Sequence, residues 1–466
     1  MPPDLDAQFA RHREAFARRP FPAAAERRAL LDQLEALVKD HAAEWADAIS
    51  RDFGGRSRHE TQLLEVFPAL EGIRHARRHV GRWMRPQRRS TSLWFLPGRS
   101  SVVPQPLGVV GIVVPWNYPL YLAVGPLVAA LAAGNRAMVK MSETTPATGE
   151  LLARLAERHF PGGEVTVANG GPEVAQAFCR LAFDHLLFTG SSGVGRHVMR
   201  AAAEHLTPVT LELGGKSPAL VGRGFPVAEA ADRVMFGKCL NAGQTCIAPD
   251  YALVPEESVA AFVEAARLAV ARLYPTLAAN PDYTAIVDAR HRERLARLVA
   301  DARAKGASAL EVNPGAEDLA AAGKFAPTLL TGVDASMAVM REEIFGPVLP
   351  VVPYRALDEA IAYVNARPRP LALYVFEHDG AAVDRVIALT VSGGVAVNET
   401  IVHIAQDDLP FGGVGESGMG RYHGREGFDT FSQRKSVFRQ SRLNGLKLFR
   451  APYGRRFESL LRLLLR

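Results

Sequence analysis

Between residues 109 and 213, short apolar runs alternate with longer stretches of helical period, and this pattern restricts the fold more than any other feature. The runs are 109–114, 137–140, 164–167, 185–188 and 209–213. They are rich in Val and Leu and mostly lack polar alternation, as strands buried on both faces do. Helix-length connections between such strands favour parallel pairing, so the segment predicts a doubly wound parallel α/β sheet. The alternation resumes after Lys216, with strand-like runs at 219–221, 251–254, 371–376 and 394–397. That predicts a second α/β domain. A chain of 466 residues has room for two or three domains.

No charged residue occurs from Ser100 to Asn135. A membrane span is excluded because Pro104, Pro106, Pro115, Asn117, Pro119 and Pro126 interrupt the run before about 20 apolar residues accumulate. A buried strand followed by a buried helix is the expectation. Upstream, Leu30, Leu31, Leu34, Leu37 and Val38 share one helical face, which predicts a helix over 23–53 ended by Gly54-Gly55. A second basic amphipathic stretch covers about 59–83. Residues 92–99 read as a strand and turn, with Ser101-Val102-Val103 returning as a hairpin.

The net charge of +6 is local. Residues 441–466 hold seven basic residues against Glu458 alone, so the rest of the chain is neutral and offers nucleic acid no basic surface. With three cysteines, Cys179, Cys239 and Cys246, a disulfide framework is not expected, and a reducing, cytoplasmic setting is. The charged stretch 1–19 has no apolar core of the kind a secretory signal carries.

The chemistry points to Cys246, in Asn241-Ala242-Gly243-Gln244-Thr245-Cys246. Small and polar neighbours suit a sulfur held at a turn. Glu212 lies upstream in Leu211-Glu212-Leu213-Gly214-Gly215. A thiol nucleophile and a carboxylate base suffice for a covalent route that ends in attack by water. Two glycine motifs are set aside. Gly413-Val414-Gly415-Glu416-Ser417-Gly418 has dinucleotide-site spacing but follows Leu409-Pro410-Phe411 rather than a strand. Gly215-Lys216-Ser217 lacks the earlier glycine of a phosphate loop, since position 210 is Thr. Gly190-Ser191-Ser192-Gly193-Val194-Gly195 is the better candidate, because it follows a strand and opens a helix whose free N–H groups suit a pyrophosphate.

These motifs, with Pro115-Trp116-Asn117-Tyr118-Pro119 and Pro410-Phe411-Gly412-Gly413, resemble the NAD(P)-dependent aldehyde dehydrogenase superfamily over nearly the whole chain. Ile401-Val402-His403-Ile404 and Gly420-Arg421-Tyr422-His423-Gly424 resemble its fatty, aromatic and coniferyl aldehyde branch. The resemblance implies a Rossmann-like NAD-binding domain (1–86 and 105–213) and a catalytic domain (214–410). It also implies a small β element for oligomerisation (87–104 and 411–440), leaving a basic tail at 441–466. Cys246 is then the nucleophile, Glu212 the base and Asn117 an oxyanion donor. NAD contacts fall to Pro115, Trp116, Lys140, Glu143, Gly190, Ser191, Gly195, Leu213, Gly214, Glu343 and Phe345. Lys140 and Glu143 would hold the adenine ribose, Glu343 the nicotinamide ribose, and Phe345 would back the ring. The resemblance leaves NADP open as a second cofactor, and no metal is expected.

Tyr118, Phe236, Ile401 and Phe411 match positions that line the family's substrate pocket. Their apolar character favours a hydrophobic or aromatic aldehyde, oxidised to the acid. His403 and His423 are read as structural. Two rivals are a cysteine-dependent thioester or amide hydrolase, for which no histidine lies near either motif, and a non-catalytic relative. A homodimer is the implied assembly. In the tail, Phe457, Leu460, Leu461 and Leu464 fall on one helical face flanked by arginines. Two readings stay open: docking on the dimer near the substrate mouth, or peripheral contact with an anionic membrane.

Overall fold

The computed structural model describes residues 4–465. Part of the N-terminal stretch read for a signal, residues 1–3, and the last residue of the tail, Arg466, lie outside the described residues.

The first sheet has six strands, in the order Gly418–Met419, Val209–Glu212, His185–Thr189, Val109–Val113, Arg136–Lys140, Val165–Ala168. The five strands of the alternating segment are mutually parallel. The chain order reverses between Val109–Val113 and His185–Thr189, and ligand crevices form at such a switch beyond the C-terminal strand ends. Gly418–Met419 adds an antiparallel edge, pairing Gly418 with Glu212. Part of the segment 411–440, expected as a bridging element, therefore joins the expected cofactor-domain sheet. The rejected glycine motif is this edge: the Leu213 N–H donates to the Ser417 carbonyl at 3.1 Å.

The charge-free run becomes the buried strand Val109–Val113 and the helix Tyr121–Ala133, which is apolar on all sides. Pro126 does not break this helix but sits inside it. Gly134, at φ 90°, ends it in the left-handed region. Arg27 is buried and donates through Nη1 to the Ala132 and Ala133 carbonyls, at 3.0 and 2.6 Å, so its charge meets the negative end of the helix.

The second sheet has seven strands, in the order Ser308–Glu311, Thr328–Thr331, Val348–Tyr354, Tyr251–Pro255, Pro218–Val221, Ala372–Phe376, Gly394–Val397. All pair in parallel except Ser308–Glu311. The first three had no counterpart in the sequence reading. Ser308–Glu311 is largely exposed, and Val348–Tyr354 contains Pro350 and Pro353, which argue against a central strand. The strand tolerates them because its two ladders are staggered: 348–350 pairs with Thr328–Thr331, and 351–354 with Tyr251–Pro255.

The third sheet is antiparallel, ordered Gln87–Arg89, Arg99–Pro106, Ser432–Arg439. The first arm of the expected hairpin is therefore 87–89. Residues 92–96 are not a strand: Leu93–Phe95 form a single 3-10 turn, with Leu93, Trp94, Phe95 and Leu96 exposed. The helix expected over 23–53 is two helices, Ala24–Lys39 and Ala42–Phe53. The break lets buried Trp45 donate its indole N–H to the Leu37 carbonyl, one of the end carbonyls left over in the first helix. Gly54 caps the second helix at φ 66°.

Candidate active site

The two large sheets meet end to end. Glu212 ends a strand of the first, and residues 213–217 cross to the second, where Pro218–Val221 begins. Cys246 lies shortly before Tyr251–Pro255, at the N-terminal edge of the second sheet. A cleft of about 210 Å³ opens between them. Of the expected site residues, it brings together Cys246, Glu212, Asn117, Pro115, Trp116, Gly190, Ser191, Leu213, Gly214, Glu343 and Phe345. Thr189, His291 and Arg294 also line it. No sequence motif pointed to His291 or Arg294, which lie on the helix Ala289–Ala304.

The loop before Cys246 is wound tightly. Asn241, Ala242 and Gly243 have φ of 51°, 51° and 74°. Gly243 is required on two counts, because a Cβ there would lie 2.4 Å from the Gly346 carbonyl oxygen. Gln244, buried inside the turn, donates to the Asn241 and Ala285 carbonyls and accepts from the Val287 N–H. Cys246 itself is half-buried. Its thiol is pushed up to about 12, first by burial and then by the nearby Glu343 and Glu212 carboxyls.

Glu212 is buried, and neither carboxyl oxygen has a hydrogen-bond partner. Burial raises its pKa well above 4.5. Glu343 is raised to about 8, chiefly by burial and then by Asp250, and its Oε1 is also unpartnered. Gly214 makes room for it: a Cβ there would lie 2.1 Å from Glu343 Oε2. The Glu343 loop is fixed from behind. Asp250 accepts the Ile344 N–H, and Arg294 Nη2 donates to the Glu343 and Ile344 carbonyls at 2.9 and 2.8 Å. Asn117 is buried, and its Nδ2 donates to the Gln244 carbonyl at 3.1 Å, which leaves a second N–H.

Ser191 caps the helix Ser192–Ala203, accepting from the Val194 N–H, and it lines the cleft together with Gly190, which puts the N-terminal end of this helix at the cleft. Gly195 does not line the cleft and lets Leu213 pack close: a Cβ there would lie 2.8 Å from the Leu213 side chain. Trp116 stands edge-on to Phe345, ring centroids 5.3 Å apart. Lys140 and Glu143 do not line this cleft. Lys140 ends its strand with Nζ donating to the Met141 and Gly170 carbonyls, 4.0 Å from the carboxylate of exposed Glu143.

The four residues expected to line the substrate pocket are likewise outside the cleft. The Tyr118 hydroxyl bonds Thr245 Oγ1 at 2.7 Å, directly before Cys246. Ile401, at φ 66°, approaches Gly237, next to exposed Phe236. Phe411 is buried and stacks on His423 at 5.3 Å. Burial lowers His423 to about 3 and His403 to about 4, so both are neutral packing rings at physiological pH.

The residues present suit a dinucleotide. A helix N-terminus faces the cleft, orphaned carboxyl oxygens at Glu343 and Glu212 await donors, and an aromatic wall stands beside the thiol. Comparison with known proteins agrees. The chain matches the aldehyde dehydrogenase family over residues 2–437. It is 53% identical over 456 residues to a probable coniferyl aldehyde dehydrogenase of Pseudomonas aeruginosa, covering 98% of this chain and 95% of that one. It is 49% identical over 439 residues to the coniferyl aldehyde dehydrogenase of Pseudomonas sp. strain HR199, covering 93% and 91%. The substrate-bound structure of Staphylococcus aureus AldH superimposes with a TM-score of 0.92 at 37% identity, covering 99% of this chain and all of that one. The protein belongs to the aldehyde dehydrogenase family.

Proposed function

We propose that the protein oxidises a hydrophobic or aromatic aldehyde, of the coniferyl or medium- to long-chain type, to its carboxylic acid. NAD is the cofactor, and NADP is accepted more weakly. The observation that carries this reading is one cleft holding a thiol, an unpartnered buried carboxyl and a free amide N–H beside a helix N-terminus. The rival hydrolase would place a histidine on the thiol as base; His291 lines the same cleft and bonds Asp288 through Nδ1, but among the described residues no hydrogen bond joins it to Cys246. The likeness to coniferyl aldehyde dehydrogenases supports an aromatic substrate.

In this mechanism the Cys246 thiolate adds to the aldehyde carbonyl carbon and leaves a tetrahedral oxyanion. The free N–H of Asn117 and the Cys246 backbone N–H stabilise it. NAD, when bound, supplies the hydride acceptor. Loss of hydride leaves a thioester on Cys246. Glu212 takes a proton from water, the water oxygen adds to the thioester, and the thiolate departs as the acid forms. A panel assay following NADH absorbance tests the reading. Coniferyl aldehyde and long-chain aldehydes should exceed carboxylated semialdehydes in kcat/KM; the reverse order would overturn it.

Glu143 is proposed to select NAD. At a strand's C-terminal end it would accept the ribose hydroxyls and repel a 2′-phosphate. Glu143 is exposed, and like charges about 4 Å apart in water repel by about 1 kcal/mol, so Glu143→Gln should raise the NADP:NAD ratio of kcat/KM by about fivefold. An unchanged ratio would remove Glu143 from the ribose site.

A homodimer is also proposed, because exposed Leu93, Trp94, Phe95, Leu96 and Phe438 crowd the three-stranded sheet and invite a partner. Light scattering should give twice the mass of 50.5 kDa. The tail forms the helix Arg455–Leu464, none of whose residues is fully buried in the single subunit. Among the described residues no helix is long and apolar enough to cross a membrane. We favour docking on the dimer near the substrate mouth. Truncation after Gly445 should then raise KM for long-chain aldehydes. Loss of co-sedimentation with anionic liposomes at low salt, with KM unchanged, would instead assign the helix to a membrane surface.

A further inference from the structure

Behind the cleft lies a charged network that the mechanism above does not use. Arg56 and Glu65 form an ion pair at 2.8 Å with both side chains fully buried. The same Arg56 Nη1 donates to the Asn117 backbone carbonyl at 2.8 Å. The rest of the guanidinium lies near the ring faces of Phe53 and Tyr118, 5.1 and 4.7 Å from their centroids. Glu65 Oε2 accepts the Leu120 and Tyr121 N–H groups at 2.8 and 3.1 Å, at the start of the helix Tyr121–Ala133. Residues 117–121 are thus held at both ends by one ion pair.

The network also reaches the cysteine loop. Glu60, buried, accepts the Asn241 N–H at 3.1 Å and the Thr284 hydroxyl at 2.7 Å. Asn241 Nδ2 donates to the Asn117 carbonyl, which therefore receives Arg56 and the cysteine loop together. These are the two segments that supply the Asn117 amide and the Cys246 N–H.

A buried ion pair is weak evidence of a stabilising role, since apolar residues of similar size often serve as well. What an apolar residue cannot do is hold the Asn117 carbonyl and Glu65 at the same time. We propose that Arg56 is a positioning residue for the oxyanion site, setting the Asn117 amide against the Cys246 N–H. This rests on Asn117 being an oxyanion donor.

The test needs no nucleotide. Attack of Cys246 on p-nitrophenyl acetate forms a thioester, passes through an oxyanion, and expels p-nitrophenolate with the bonding electrons. Alkylation by iodoacetamide displaces iodide from the same sulfur and builds no oxyanion. The ratio of the two rate constants therefore reports the oxyanion site separately from thiol reactivity and folded fraction. A displaced donor costs about tenfold or more, so Arg56→Met should lower the ratio by at least that. Arg56→Lys keeps the charge opposite Glu65, protecting the fold, but its ammonium lacks the guanidinium plane that lies between the Phe53 and Tyr118 rings and aims Nη1, and the ratio should still fall by more than about threefold. Asn117→Ala should lower it by about a hundredfold. If Asn117→Ala lowers the ratio and Arg56→Lys leaves it within about threefold of the parent, the positioning role is overturned and the oxyanion reading stands. If Asn117→Ala leaves the ratio unchanged, both fail.

Discussion

Cys246→Ala should abolish aldehyde oxidation while leaving NAD bound. Losing the nucleophile removes the only route to a carbon that can release hydride, and nucleophile deletions in comparable covalent enzymes cost about 10⁶-fold in kcat. The residues proposed to hold the cofactor are others in the same cleft: Trp116, Gly190, Gly214, Glu343 and Phe345. NAD binding, read by quenching of the protein's tryptophan fluorescence, should therefore stay within about twofold of the parent. Residual turnover above about a thousandth of the parent rate would displace Cys246 from the mechanism. The thiol of the free protein is pushed up to about 12, so its alkylation should accelerate with pH and reach no plateau below about 10.

Glu212→Gln should separate the two halves of the reaction. Hydride transfer needs no base at this position, so one equivalent of NADH per site should form in a burst. Hydrolysis of the thioester needs the carboxylate, and steady turnover should fall by about 10²–10⁴-fold. The pH dependence has a definite sign. Burial raises Glu212 well above 4.5, which favours its protonated form. Only the ionised form accepts a proton from water. In the parent, thioester hydrolysis should rise with pH as Glu212 loses its proton, and this ascending limb should vanish in Glu212→Gln. Equal steady rates in the two proteins, or a limb that survives the substitution, would remove Glu212 as the base.

Much of the architecture was legible because it is local. The strands near 109–113, 136–140, 185–189 and 209–212 announce themselves as apolar runs. Burial on both faces needs no partner to be named. The charge-free run 100–135 had to enter the core, and it forms Val109–Val113 and the fully apolar helix Tyr121–Ala133. The helix after Gly190 and the turn before Cys246 were readable for the same reason, since glycine and capping serine act on their own backbone. Legibility failed where pairing outranks composition. Val348–Tyr354 carries two prolines and is still a central strand, because its neighbours bond different halves of it.

The sequence alone determined which side chains can perform the chemistry: a thiol, a carboxyl and an amide, each in a short motif. It did not determine their states. Cys246 and Glu212 are 34 positions apart; Glu212 ends a strand of one sheet, Cys246 precedes a strand of the other, and only the junction of those sheets makes them neighbours. The raised pKa of each comes from being enclosed there, a property of atoms far away in the chain. The tie from Arg56 to the Asn117 carbonyl spans 61 positions and has no motif. Periodicity reports which face of an element is buried. It is silent on which distant charge that face will meet, because the dielectric and hydrogen-bond partners of a buried group are set by the whole packed fold.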